Sequence, residues 1–462
     1  MKSMIFQSPV RIIIILTVAV AIPQCNPQPR SVYSTLRDHC DQIRVINTHE
    51  HQRWPEENGE LTYGFFHLLR SSYLMADVAS AGGRWIPFEQ MDTMGHDRLW
   101  DELGVPLDYT RATSYYGHFV MGFKKLYEFN DPYFTRENTA NLSMQIRSRY
   151  ENYREWFDEA FYRSGFELMF LDQYWRPFNT SLNEEHFALV FHINPLVSQA
   201  SRKPAEDQAP EGIYAMAQEE NKAIRSLQDY LDYCEVLFRR NVDNHAVCVK
   251  NSMAYSRSLD YEDVPFEIAS ALFQKPSSVL TDRERKMIED FTFHWIIQRS
   301  IHYDLPIQIH TGYLAGSGNT LDNGHPLKLN NLFLQYPGAK FILFHGGYPW
   351  TGEFAALGKM FPNVYLDLVW LPQISREEAI HALEEILDGT PYNKLFWGGD
   401  CAFIEESAGS LEYGKDVVAT VLASRVERGL LTDDVALEII DRIFRQNAIE
   451  EFNLEDRMGR SF

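Results

Sequence analysis

The stretch VINTHEHQRW (45–54) sets an apolar run directly against two histidines one residue apart, His49 and His51. Residues two apart in a strand point to the same face, so both imidazoles can aim at one place while Glu50 points away. Two converging imidazoles suit Zn(II) or a similar divalent ion, and a third histidine and a carboxylate from other strands would complete a catalytic site with a position left for water. Other apolar runs end in the right residue types. LPIQIH ends in His310, KFILFH in His345 and NKLFWGGD in Asp400, while HAVCVKN carries Lys250. A single strand-end histidine is ordinarily a hydrogen-bonded core residue. The repetition at several strand ends is what argues for a metal site. Before Asp400, Gly398 and Gly399 permit close backbone approach, which favours a site role over a plain helix cap or salt bridge.

Such chemistry needs a scaffold that brings distant strand ends to one mouth. Eight short apolar runs supply it, at 43–48, 166–172, 187–193, 245–251, 305–310, 340–345, 363–370 and 393–400. Most are continuous instead of alternating, as parallel strands covered on both faces are. Helical sequence lies between them. Residues 281–304 open with a Thr281 to Glu284 capping box, and Ser375 and Glu378 open the next such helix in the same way. Eight strands alternating with helices predict a (β/α)8 barrel over residues 40–454. Residues 55–165 do not fit a minimal barrel; aromatic-rich sequence such as YYGHFVMGFKKLYEFNDPYF (115–134) predicts a helical insertion after the first strand, over the barrel mouth. The polar, proline-containing stretch 200–212 reads as an exposed loop.

The composition sets limits. A chain of 462 residues that is 45% hydrophobic and 14% aromatic has ample material for a large core. Lys+Arg 43 against Asp+Glu 64 gives a net charge of −21, which argues against nucleic acid as a partner. At the N-terminus, Lys2 and Arg11 precede the apolar run 12–22, and Ala19-Val20-Ala21 offers a small-residue cleavage site. Residues 1–25 therefore read as an export signal, with a membrane anchor as the minor alternative. Cys25 raises lipidation of the bacterial lipoprotein type, although the preceding Ile-Pro-Gln departs from the small residues such a site favours. The expected location is periplasmic, cell-surface or secreted, with membrane contact only through that lipid. Cys40, Cys234, Cys248 and Cys401 form no close pair and are expected as buried free thiols.

In combination, INTHEH (46–51), IQIHTGY (307–313), FILFHGGYPW (341–350) and LFWGGDCAF (395–403) resemble the amidohydrolase superfamily. The branch they look most like includes aminocarboxymuconate-semialdehyde decarboxylase and relatives of the uronate isomerases. The tail 439–454, with Asn447 and Ala448, is similar to that family's closing helix. The resemblance implies that His49, His51, His310 and Asp400 are metal ligands and that His345 is a catalytic residue beside the metal. One ion, Zn(II), is expected, and a second only if Lys250 is carboxylated as in binuclear members. The remaining readings of Lys250 are a substrate-binding cation or a solvated lysine. Arg53, Trp54, Arg257, Tyr313 and Trp350 lie just beyond strand ends, where they would meet substrate or merely pack; Arg257, Tyr313 and Trp350 are the substrate-binding candidates.

The expected function is that of an exported, metal-dependent hydrolase that opens an amide, ester or lactone bond of a small molecule with metal-activated water. In it Asp400 relays the proton, and His345 polarises the carbonyl. The same site would also serve a non-oxidative carboxy-lyase or a uronate isomerase. From another class, a catalytically inactive secreted binding protein would be expected to have lost ligands, and none of the four is missing. A homodimer is left open.

Overall fold

The eight apolar runs form eight strands in a computed structural model that describes residues 31–55, 63–204 and 208–462. The signal segment 1–25 and Cys25 lie outside the described residues. The strands are β1 Val45–Glu50, β2 Phe166–Asp172, β3 Phe187–His192, β4 Cys248–Asn251, β5 Ile307–Ile309, β6 Phe341–Leu343, β7 Val364–Asp367 and β8 Leu395–Phe396. Each pairs in parallel with the next, in the order β1 to β8. Only Glu167 and Tyr365 of these strands are not fully buried, which is why the sequences read as continuous apolar runs. Backbone hydrogen bonds bridge the first strand to the last: Asp400 N donates to His49 O at 2.8 Å, and His51 N to Cys401 O at 2.9 Å.

That seam depends on two glycines. A Cβ on Gly398 would stand 2.9 Å from Thr48 Oγ1, and one on Gly399 would collide with the Glu50 carboxylate. Glu50 indeed faces away from the mouth; it accepts from Gln52 Nε2 at 3.2 Å and from the backbone N–H of Cys401 at 2.8 Å. It is a seam residue, and burial pushes its carboxyl up to about 8.

The segment between β1 and β2 is helical. After α1 (Val32–Gln42) ahead of β1, it contributes α2 Phe65–Ser71, α3 Leu74–Ser80, α4 Phe88–Met94, α5 His96–Tyr109, α6 Ser114–Tyr127, α7 Arg136–Tyr150 and α8 Tyr153–Ser164. Helix α6 packs on the long helix Ile404–Glu427 that follows β8. The two meet through Gly122 and Gly409, where a Cβ on either would run into the other helix's backbone. Close by, the buried Glu405 accepts from Tyr127 Oη, Tyr150 Oη and Trp156 Nε1 at 2.7, 3.0 and 2.9 Å. Three insertion helices are thereby tied to the first turn after β8.

The strict alternation of strand and helix fails once. Residues 173–186, between β2 and β3, contain no helix; the stretch is interrupted by Pro177 and is rich in asparagine, which competes with helical hydrogen bonding. The capping box at Thr281 and Glu284 is complete and opens the helix Asp282–His302. The box at Ser375 is half made. Ser375 accepts from Glu378 N, but the Glu378 carboxylate accepts from Thr351 Oγ1 at 2.7 Å. The described part of 200–211 carries neither helix nor strand. Cys40, Cys234, Cys248 and Cys401 are free and buried. Asn447 donates to Tyr392 O and Leu395 O, at 2.7 and 2.8 Å, and so fastens the C-terminal helices to β8.

Candidate metal centre

β1 delivers His49 and His51 to the same face of the barrel mouth. Their Nε2 atoms lie 3.3 and 3.1 Å from Asp400 Oδ1, and the candidate ligand atoms of the three residues all lie within 4.8 Å of one another. Second contacts aim these groups. His51 Nδ1 donates to Asp172 O at 2.8 Å, which turns the Nε2 lone pair toward the cluster. Tyr73 Oη lies 2.5 Å from Asp400 O and 3.0 Å from Asp400 Oδ2 and shares its one proton between them, while Oδ1 faces the imidazoles. Tyr73 precedes α3, so the insertion holds a residue against the centre. Asp400 itself sits at φ 61°, as do His345 (64°) and Trp370 (62°) after neighbouring strands. Such left-handed strain in non-glycine residues persists where surrounding contacts over-determine it.

The charges suit a cation. Burial, then Lys250, pulls the His49 imidazole down to about 3, so it is neutral. Burial opposes charge on His51 too, but the Asp400 hydrogen bond and charge override it and raise its pKa. Asp400 stays well below the usual carboxylate range despite burial, because both imidazoles face it. Two imidazole nitrogens and one charged carboxylate oxygen are a donor set for a divalent ion, which would compete with the proton on His51. The residues therefore fit the metal that the sequence implies.

A cavity of about 450 Å³ opens on this cluster. Lys250 lines it, 2% exposed, with Nζ 3.3 Å from His49 Nε2 and 3.7 Å from the centre of the Phe344 ring. Burial lowers its pKa to about 8. The solvated reading of this lysine is thus excluded. Asp172 and His192, at the ends of β2 and β3, also line the cavity and pair at 3.0 Å. The His192 contact keeps Asp172 charged, against the opposing effect of burial.

His310 lines the same cavity but stands outside the cluster. Its Nε2 faces Tyr313 O at 2.7 Å and its Nδ1 faces His345 Nε2 at 3.0 Å. Among the described residues the compact cluster thus holds three of the four expected ligands, and His310 stands beside it on the cavity wall. His345 is wholly buried, contacts Val369 O through Nδ1 at 3.1 Å and does not line the cavity. It meets the cavity wall through His310, which its Nε2 faces at 3.0 Å. Burial and then Lys250 hold His310 down at about 3, and burial and then His310 hold His345 well below the ordinary imidazole range.

None of the three substrate-binding candidates lines the cavity. Arg257 is occupied by Asp290 at 2.5 Å and Glu289 at 3.3 Å, with its guanidinium over the Tyr261 ring. Tyr313 contributes its carbonyl to His310, and its ring leans on Trp370 at 5.8 Å. Trp350 packs on His325 at 4.4 Å. Trp54 packs on Phe157 at 5.3 Å. Arg53 borders a neighbouring cavity. Sequence reasoning missed Asp172, which closes the run 166–172, and His192, one residue before the end of the run 187–193. It also missed Tyr73 and Glu406, which line the same cavity and which no spacing rule connects to a strand end.

Fold and site together define a barrel with a His-His-Asp centre suited to a divalent ion. Residues 286–454 match the amidohydrolase family model, and that match with the barrel supports the amidohydrolase superfamily for this chain. Protein fluG of Emericella nidulans is 27% identical over 234 residues, which is 46% of this chain and 26% of that protein. The match thus spans about a quarter of the curated relative's length. Among solved structures, uronate isomerase of Thermotoga maritima aligns with TM-score 0.74 at 13% identity, covering 91% of this chain and 97% of that one. Glucuronate isomerase of Caulobacter crescentus aligns at 0.74 and 15%, covering 93% and 95%. A candidate metal-dependent hydrolase from Lactobacillus casei aligns at 0.61 and 16%, covering 92% and 98%. At these identities the structural likeness is one of fold.

Proposed function

We propose that the protein is a metal-dependent hydrolase that cleaves a C–N amide or an ester or lactone bond of a small molecule. The observation that carries this reading is the convergence of His49 and His51 Nε2 on Asp400 Oδ1 at the floor of a cavity. These three residues would hold the divalent ion, expected to be Zn(II), which when bound acidifies water and polarises a carbonyl. Asp400 accepts a proton on its carboxylate and returns it to the leaving group, while Tyr73 Oη beside it fixes the carboxylate's orientation. Lys250 faces the same space and stabilises negative charge developing on substrate oxygen, the task first expected of His345. His345 and His310 hold one wall in place through their shared contact.

A second reading, interconversion of a uronate by proton transfer between adjacent carbons, is favoured by the alignment of two uronate isomerases over more than nine-tenths of this chain. It uses the same residues, so the fold cannot choose. Full-length protein loaded with Zn(II) should hydrolyse members of a panel of N-acyl amides, esters and lactones. Turnover of uronates with none of those substrates would replace the hydrolase by the isomerase.

A further inference from the structure

We propose that a second, outer subsite beside the metal centre binds an anionic oxygen group of the substrate, a carboxylate or a phosphate, through Arg53 and Arg70. A cavity of about 310 Å³ adjoins the one over the metal cluster and shares Ser71, Tyr73, Tyr174, Ala315 and Ala402 with it. Both arginines line it. Arg70, in the last turn of α2, donates from Nε to Ile86 O at 3.2 Å, and its guanidinium lies 4.4 Å from the Trp85 ring centre and 5.3 Å from that of Phe88. Arg53, two residues beyond His51, donates from Nη2 to Tyr174 Oη at 2.6 Å and lies 4.5 Å from the Trp175 ring centre.

Among the described residues neither guanidinium is paired with a carboxylate, in a chain with 64 acidic side chains against 43 basic ones. Arg257, by contrast, is tied up by two carboxylates. A guanidinium held against an aromatic ring, with N–H groups left over, is preorganised for a planar or tetrahedral oxyanion. Tyr63, Trp85, Phe88 and Tyr150 give the same cavity apolar walls. The substrate class is then a small molecule with an acidic group at one end, an apolar or aromatic spacer, and the reacting bond at the end near Asp400. Only this last placement rests on the function proposed above.

Calorimetric titration of the full chain with phenylacetate, phenyl phosphate and neutral phenylacetamide tests the subsite without any turnover. It is run both on metal-loaded protein and after chelation, so that direct binding of an anion to the metal is separated from binding to the arginines. One of the two anions should bind at least about tenfold more tightly than the amide, with or without metal, and the tighter one identifies carboxylate or phosphate. Arg70→Gln and Arg53→Gln should each remove that preference and leave amide binding and the thermal midpoint near wild type. Arg70→Lys should keep part of the preference. Equal binding of anions and amide, no anion binding after chelation, or a preference that survives both glutamine substitutions would overturn the subsite. Because binding is read without turnover, a protein that hydrolyses nothing in the panel can still pass, and an active hydrolase can still fail.

Discussion

Two histidine pairs stand at strand ends on the same barrel mouth, and they are used in different ways. At the β1–β8 seam, His49 and His51 each turn Nε2 to Asp400 Oδ1, and His49 Nε2 also faces Lys250 Nζ at 3.3 Å. At the β5–β6 side, two of the four ring nitrogens of His310 and His345 face backbone carbonyls, those of Tyr313 and Val369, and the other two face each other. Residue type and strand position are the same in both pairs. The two pairs differ in what their Nε2 atoms face: the Asp400 carboxylate at the seam, and a backbone carbonyl or a second imidazole at β5–β6.

The sharpest way to break this contrast is at the shared carboxylate. Asp400→Asn should lower turnover by about 10²–10⁴-fold and strip the bound divalent ion, as read by elemental analysis, while the circular dichroism stays that of the wild type. The next test sets the pairs against each other. His51→Gln should lose the metal, whereas His310→Gln should keep it at wild-type stoichiometry and lose about 10–100-fold in turnover. Equal metal loss in the two variants would make His310 a fourth ligand and erase the distinction.

Smaller effects probe what holds the seam. Tyr73→Phe removes the hydroxyl that holds Asp400 Oδ2, and a competition titration with a metallochromic chelator should show metal affinity reduced about tenfold. Gly399→Ala drives a methyl into Glu50 and should cost about 1–3 kcal/mol in urea unfolding, with metal binding weakened as well, because the β1–β8 approach positions all three ligands. The smallest effect is a control far from both pairs. Lys275 and the Thr281 cap hold Glu284 down at about 2, below its ordinary 4.5. A depressed carboxyl stabilises the fold fully above its unfolded value and loses that contribution as pH falls toward the folded one. Glu284→Gln should therefore lower the urea midpoint at neutral pH, and the gap to wild type should close as pH falls through the range below 4.5.

Much of the fold was legible because its signals are local. Buried parallel strands must be continuously apolar, which marked all eight, and a helix start needs a side chain for its unpaired N–H groups, which marked Thr281 and Glu284. The helix expected between β2 and β3 was the exception, lost to Pro177 and its polar neighbours. At the site, the two-residue spacing of His49 and His51 carried its own geometry, and Gly398–Gly399 announced the tight approach before Asp400.

Other assignments lay beyond that reach. Arg257 looked like a mouth residue in the chain but is consumed by Glu289 and Asp290, which lie 32 and 33 residues further on. Tyr73 comes to Asp400 from the insertion, 327 residues away along the chain. The sequence by itself determined which residue types stand at the strand ends, since that follows from periodicity along one segment. Only the tertiary structure decided which nitrogen or guanidinium remains unspent, because hydrogen-bond partners are chosen among groups that the folded chain brings together from distant segments.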